Sequence, residues 1–596
     1  MNIENNPDYP MVRDLYAIPR LFGVSGRRER ADFLYRNNET GVPLLYHWHA
    51  GESRLLTPGN ESVYGEAVLH PTQPWVIFAQ DEGGSEKYNI FRLDYESGER
   101  QQITPAPIGR VGWLAWLTDD SWLVAGGDDE EQYVRILQTN GDMRTLFTSS
   151  RWLLSIDYDP DLGLAALSVG RGADKTNFDV GILDVAAGQL TRWHSESDAS
   201  REAQVTIRAG QLAYTTTVNK DQEQIIIRDL AHGAELQRIP VPGNVEDMHW
   251  LDAETIVAIV GHHARLQPRQ LSWRDGVWSE PLGTTSAWAV TVTQDGPVWA
   301  GSRLDQPNTI SRYRRGSAED VITVTQAGSY VPVENHWFTS FDGRQVQGWL
   351  LRNAQADAPL VVYCHGGPTS VTSDMWRAQI QALALAGFHV FAPNFRGSTS
   401  FGTTFEELNI GDLGGGDMQD VLFGARYAAQ ALGSGEKPAI TGGSYGGFLT
   451  LFALTTQPDE WAGGVGIVPV ADWVDDYYLL DAGFRFYDEF FFGGSPTEKP
   501  DLYRERSPIT YLAQLKAPLL ILHGENDSRC AIEPVIRFAE EAKTRGLPVE
   551  MVITRDEGHG SVVNINAIRD TVMTLTHMRR LFAPDADNSH SSTSTT

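Results

Sequence analysis

The chain runs to 596 residues, several times the size of one cooperative core, so a single small module is excluded and about two large domains are expected. With 41% hydrophobic and 21% charged residues it lies in the globular range, and no window holds the roughly 18 apolar residues of a spanning helix. A formal net charge of −29 repels nucleic-acid phosphates and anionic lipid surfaces, so neither is expected as a partner, and it favours basic or neutral ligands over acidic ones.

Residues 1–24 mix Asn, Asp, Glu, Arg and Pro with isolated apolar residues and lack the basic start and apolar run of a secretory signal, which sets the expectation of a cytoplasmic protein. Only Cys364 and Cys530 occur, too few for a disulfide framework and without the spacing of a zinc site; they read as buried or semi-buried thiols.

From about residue 25 to 330 short alternating segments rich in Val, Ile, Leu, Tyr and Trp are interrupted by Gly, Asp and Asn, the pattern of strands and turns. One feature recurs in phase: a strand, a tight polar turn with a glycine, another strand. The glycines are Gly51, Gly98, Gly141, Gly188, Gly233, Gly276 and Gly316, roughly 40 to 47 residues apart, the length of a four-stranded propeller blade. Seven turns predict an all-β seven-bladed propeller. A sandwich of ordinary hairpins is the competing reading, but it gives no reason for seven in-phase repeats. The acidic run Asp128, Asp129, Glu130 and Glu131 reads as a solvated blade edge.

From 331 to 583 strands alternate with amphipathic helices. PLVVYC, FHVFAP, PAITGG, GGVGIV, PLLILH and VEMVIT are apolar throughout, as strands buried on both faces are. This half reads as a doubly wound, mostly parallel α/β domain. The tail 584–596 is polar and reads as disordered.

The chemistry concentrates there. PAITGGSYGGFLTLFAL places Ser444 in a G-x-S-x-G turn between a buried strand and a helix, the context of a nucleophile elbow. A serine hydroxyl needs a base and a carboxylate to orient that base, in the order Ser, Asp or Glu, His on this fold. Asp527 follows the strand PLLILH and His559 follows VEMVIT. Glu525 is a rival acid, and His365 and His523 are rival bases that lie upstream of the acid at strand ends. Two N–H donors are required for the tetrahedral oxyanion: Tyr445, next to the nucleophile, supplies one, and Gly367 in the loop HGGP the other. The cluster GDLGGGD at 411–417 lacks a following Gly-Lys-Ser/Thr, so it reads as a loop before a helix rather than a phosphate cradle. Nucleophile, base and donors all come from the chain, so no cofactor or metal is required.

In this order HGGP, NFRGSTSFG, GDLGGGDMQDV, GGSYGGF, HGENDSRC and DEGHG, behind seven propeller repeats, resemble the prolyl oligopeptidase family of serine peptidases, and its acylaminoacyl peptidase branch most. The resemblance implies an α/β-hydrolase catalytic domain capped by the propeller, a site in the cavity between them that admits short peptides, and an N-terminal helical segment packing on the hydrolase domain. It further implies a specificity pocket of Val470, Trp473, Phe484, Tyr487 and Arg529, whose aromatics favour a flat or large apolar side chain at the cleaved residue, and a Glu86–Arg529 pair across the domain interface. Glu130-Glu131 has no surrounding motif of the amine-binding acidic pair of dipeptidyl peptidases, so that role is not transferred. The activity implied is hydrolysis of short peptides, including release of N-acylated amino acids. A carboxylesterase with the same machinery and an inactive propeller binding protein are the alternatives. A homo-oligomer, dimer or larger, stays open.

Overall fold

The computed structural model describes residues 3–171, 176–325 and 328–582; the tail read as disordered lies outside them. Seven four-stranded antiparallel sheets span 21–55, 67–102, 110–149, 153–194, 202–240, 244–278 and 291–323, each built from one continuous stretch. The seven phased glycines occupy the same place in every blade, the turn between its third and fourth strands. Their φ angles lie between +64° and +93°, the left-handed region that glycine enters without a Cβ clash.

The blades must stack because each sheet has an apolar face to hide. Ile77 and Ile90 of the second blade pack with Leu114 and Trp122 of the third, and Leu123 and Val134 of the third with Leu167 and Leu183 of the fourth. The ring closes by the same packing, Leu21 and Phe33 of the first blade meeting Val298 and Ile310 of the seventh. Gly26 N–H donates to Thr291 Oγ1 at 2.9 Å across this seam. The expected start of the propeller at 25 is corrected: its first strand is Leu21–Gly26. A register shift between Phe22 and Ser25 breaks the alternation by which that strand would be recognised.

Before it, helix Tyr9–Tyr16 buries Val12 and Leu15. It lies against helix Asn564–Phe582 of the hydrolase domain, where Tyr16 and Thr571 hydroxyls are 2.7 Å apart and Asp8 pairs with Arg579 at 2.7 Å.

The hydrolase sheet has eight strands: β1 (Val333–Thr339), β2 (Gln345–Leu351), β3 (Leu360–Cys364), β4 (His389–Asn394), β5 (Ala439–Gly443), β6 (Gly463–Ile467), β7 (Leu519–Gly524) and β8 (Val549–Thr554). Their order is β1-β2-β4-β3-β5-β6-β7-β8, and only β1–β2 and β2–β4 pair antiparallel. The six apolar runs are β3 to β8; β1 and β2 are additional. Val361, Leu520 and Leu522 face helices Ala378–Leu385 and Asn564–Phe582, while Val362, Leu519 and Ile521 face helices Gly416–Leu432 and Tyr445–Thr456. Both faces of β3 to β7 are buried, which is why these strands read as nearly unbroken apolar runs, whereas β8 closes the sheet edge with Glu550 and Ile553 exposed. No described helix is long and apolar enough to cross a membrane.

Candidate active site

The turn after β5 places Ser444 at φ 58° and ψ −122°, backbone angles that cost a non-glycine residue of order 1–3 kcal/mol and cluster at functional sites. The flanking glycines make the turn possible. A Cβ on Gly442 would lie 2.4 Å from the Cys364 carbonyl oxygen, and one on Gly446 would lie 2.1 Å from it. The same contact fixes the loop that leaves β3, since a Cβ on Gly366 would be 3.3 Å from Ser444 Cβ. Gly367, at φ +127°, follows directly.

Asp527 comes from the loop after β7 and His559 from the loop after β8. His559 Nδ1 lies 2.9 and 3.0 Å from the two carboxylate oxygens of Asp527. The Asp527 carboxylate is fully buried and also accepts the Arg529 and Cys530 N–H groups at 2.9 and 3.0 Å. Burial alone would raise its pKa, but His559, His523 and these hydrogen bonds outweigh burial and hold it below the usual carboxylate range. Ser444, Tyr445, Gly367 and His559 line one cavity of about 460 Å³ between propeller and hydrolase. Among the described residues the His559 hydrogen bonds run to Asp527. A base–nucleophile bond that closes only with substrate bound is common in unliganded sites.

The rival residues are occupied elsewhere. Glu525 is exposed. His365 is buried, 2.9 Å from Ser398 Oγ and stacked on Phe395, and burial above all lowers its pKa to about 3. His523 is buried with Nδ1 3.0 Å from the Gly524 carbonyl oxygen. Glu130 is exposed, on a turn organised by Asp128, which accepts the Glu130 and Glu131 N–H groups at 3.1 Å each.

Val470, Trp473, Phe484, Tyr487 and Arg529 all line the cavity. The propeller completes the wall: Trp152 meets Tyr487 edge-on at 5.2 Å, and the Arg110 guanidinium sits 4.6 Å from the Phe484 ring centre.

Arg529 and Glu86 meet across the interface, Nε donating to the two Glu86 oxygens at 3.0 and 2.9 Å. The pair belongs to a larger network invisible to sequence reading. Arg110 also binds Glu86, reaches Asp481, and donates to Ser528 O and Oγ at 3.0 Å each. The turn that carries Glu86 presses on the loops that carry Asp527 and His559. Asn526 Nδ2 donates to Gly83 O at 2.8 Å, and a Cβ on Gly558 would meet Gly84 O at 1.9 Å.

Burial pushes the Glu86 carboxyl up, but Arg529 and Arg110 pull it down to about 2 from an ordinary 4.5. Its stabilising contribution is therefore full above pH 4.5 and lost as pH falls through 2. Glu86→Gln is expected to destabilise the native enzyme by about 1–3 kcal/mol at pH 7, between the values of exposed and buried pairs. The difference from wild type in denaturant melts should hold from pH 7 to 5 and shrink between pH 4.5 and 2.

Sequence reading also passed over Asp417. The loop 411–417 ends beneath Tyr445, whose phenol donates to Asp417 and accepts the Gly414 N–H at 3.2 Å. Burial chiefly raises Asp417 to about 7. The glycine cluster thus anchors the side chain of the residue whose N–H is the candidate oxyanion donor.

A serine, a buried carboxylate–imidazole pair and an amide-lined loop, at the carboxyl ends of parallel strands under a propeller, define a serine hydrolase. Residues 374–583 match the model of the prolyl oligopeptidase family. Dipeptidyl aminopeptidase BIII of Pseudoxanthomonas mexicana is 26% identical over 81% of this chain and 75% of its own length. The human acylamino-acid-releasing enzyme is 29% identical over 34% of this chain and 29% of its own. The fold is shared with a puromycin hydrolase, at 20% identity and a TM-score of 0.84 over 97% of this chain and 96% of the other. It is also shared with an acylaminoacyl peptidase of Pyrococcus horikoshii, at 16% identity and 0.72 over 96% and 97%. The match to the prolyl oligopeptidase family of serine peptidases thus lies in the catalytic domain, residues 374–583.

Proposed function

We propose that this peptidase cleaves short peptides by acyl transfer through Ser444, with N-acylated residues among the groups it releases. The observation that carries this is the Asp527–His559 pair beside the strained Ser444 turn, inside a cavity walled by both domains.

In this reading Ser444 Oγ attacks the scissile carbonyl while His559 Nε2 takes its proton, and Asp527 holds Nδ1–H and offsets the imidazolium charge. The developing oxyanion takes the Gly367 and Tyr445 N–H groups. Collapse expels the amine, which His559 protonates, and water then repeats the sequence on the acyl-enzyme. The cavity excludes folded proteins because the propeller covers it. The two cysteines, both buried and unpaired, suit a reducing compartment, and the cytosol is the location we assign.

A specific observation favours a second reading, in which the substrate amine is free. Glu223, Glu246 and Glu406 line the cavity with Arg201, so three carboxyls face one guanidinium. Matched acetylated and free-amine amino-acid anilides separate the two. Acylated-residue release predicts at least tenfold higher kcat/KM for the acetylated member, and the reverse ratio assigns the carboxyls to an α-ammonium.

A further inference from the structure

The pocket beside Ser444 carries acids among its aromatics. Trp473 and Asp476 stand three residues apart on helix Trp473–Leu479, and Phe484, Tyr487, Asp488 and Phe491 recur at helical spacing on helix Ala482–Phe492. Each helix therefore turns a mixed aromatic and acidic face to the cavity. Asp476 is 2% exposed and Asp488 3%. Asp476 Oδ1 accepts the Ala531 N–H at 2.7 Å, but Asp476 Oδ2 and Asp488 Oδ2 have no hydrogen-bond partner.

Among the described residues no cation pairs with either carboxyl. Arg529, on the same cavity, is held by Glu86, and Arg537 is held by Asp472 and Asp475. Asp476 accepts the N–H of Ala531, the residue after Cys530, and Cys530, Ser444 and both acids line the same cavity.

A buried carboxyl with an unsatisfied oxygen is costly, and two together more so, unless a ligand supplies the missing charge and donors. We propose that this pocket selects a cationic side chain, lysine or arginine, at the residue whose carbonyl Ser444 attacks. The aromatic walls then cover the aliphatic stem and face the cation, while Asp476 and Asp488 accept its N–H groups in charge-assisted hydrogen bonds. Burial first, and neighbouring carboxyls after it, push both acids well upward, and a cation between them would favour their ionised form. This replaces the purely apolar preference that the aromatic residues suggest by themselves. It rests on Ser444 as the nucleophile.

The competing occupant is a neutral amide. Trp473 Nε1 is also buried without a partner, and protonated carboxyls beside it would suit glutamine. The test uses the full chain and p-nitrophenyl esters of N-blocked lysine, arginine, norleucine, glutamine and phenylalanine, which report acylation whether or not peptides are cleaved. Lysine and arginine esters are expected to exceed norleucine at least tenfold in kcat/KM. Asp476→Asn and Asp488→Asn should each bring that ratio close to one while a fluorophosphonate probe still labels Ser444.

A norleucine, phenylalanine or glutamine ester that equals lysine in the native enzyme overturns the proposal, as does a ratio unmoved in both variants. The native series decides alone if a variant does not fold. Esters turned over without the corresponding peptides would count against the peptidase reading and leave the pocket proposal standing. Absence of both turnover and labelling would remove the nucleophile and the proposal together.

Discussion

Ser444→Ala is expected to lower kcat on a peptide anilide by about a million-fold, leaving a residual rate about 10³–10⁴ above water. The size follows from what is lost. Without Oγ there is no acyl-enzyme, and the Asp527–His559 pair, though still hydrogen-bonded, has no proton to receive. The residual rate comes from the Gly367 and Tyr445 N–H donors and from binding in the cavity. Because the three residues act as a unit, adding His559→Ala to this variant should cost almost nothing further. Single-turnover kinetics and loss of fluorophosphonate labelling read the result. A variant retaining more than a hundredth of wild-type kcat would exclude Ser444 as the nucleophile. The fold should survive, since the hydroxyl lies on the cavity wall and the turn is held by Gly442 and Gly446 against Cys364.

Asp527→Asn should cost about 10⁴-fold in kcat with little change in melting temperature. The carboxylate accepts three hydrogen bonds, from Arg529 N–H, Cys530 N–H and His559 Nδ1–H. The asparagine oxygen can keep the two backbone donors, which leaves its NH₂ facing His559. That arrangement favours the imidazole with its proton on Nε2, the atom that must take the serine proton. The imidazole NMR resonances should report the exchanged tautomer, and a variant within tenfold of wild type would show that Glu525 or another carboxyl orients the base. At neutral pH the native Asp527 stays ionised, because His559, His523 and the N–H groups outweigh the opposing effect of burial.

Much of this was legible in the linear chain because it depends on local geometry. A strand-to-helix turn tight enough to present Ser444 needs glycines in fixed places. A blade turn with positive φ needs one every 40 to 47 residues or so, which is why the repeat counted seven blades. Strands buried on both faces must be apolar nearly throughout, so β3 to β7 announced themselves, and β8 did so through its Val, Met and Ile residues although it stands at the sheet edge. Strand Leu21–Gly26 escaped because its register shift breaks the alternation, and β1 and β2 escaped because they neither alternate cleanly nor run apolar throughout, with β1 at the sheet edge.

The electrostatics behaved differently. Asp476 and Asp488 lie in sequence among other acids, where an acidic run reads as a solvated face. Only the packing of two helices against the cavity strips water from them and leaves one oxygen of each without a partner. Arg110 lies 371 residues from Asp481 and 418 from Ser528, and no spacing rule connects such positions. By itself the sequence determined the repeat, the parallel strands and the chain order of Ser444, Asp527 and His559 at strand ends, because each follows from backbone constraints within a few residues. The tertiary structure alone decided which charges face one another and which stand unpaired, because desolvation and Coulomb energy depend on distance and burial in three dimensions.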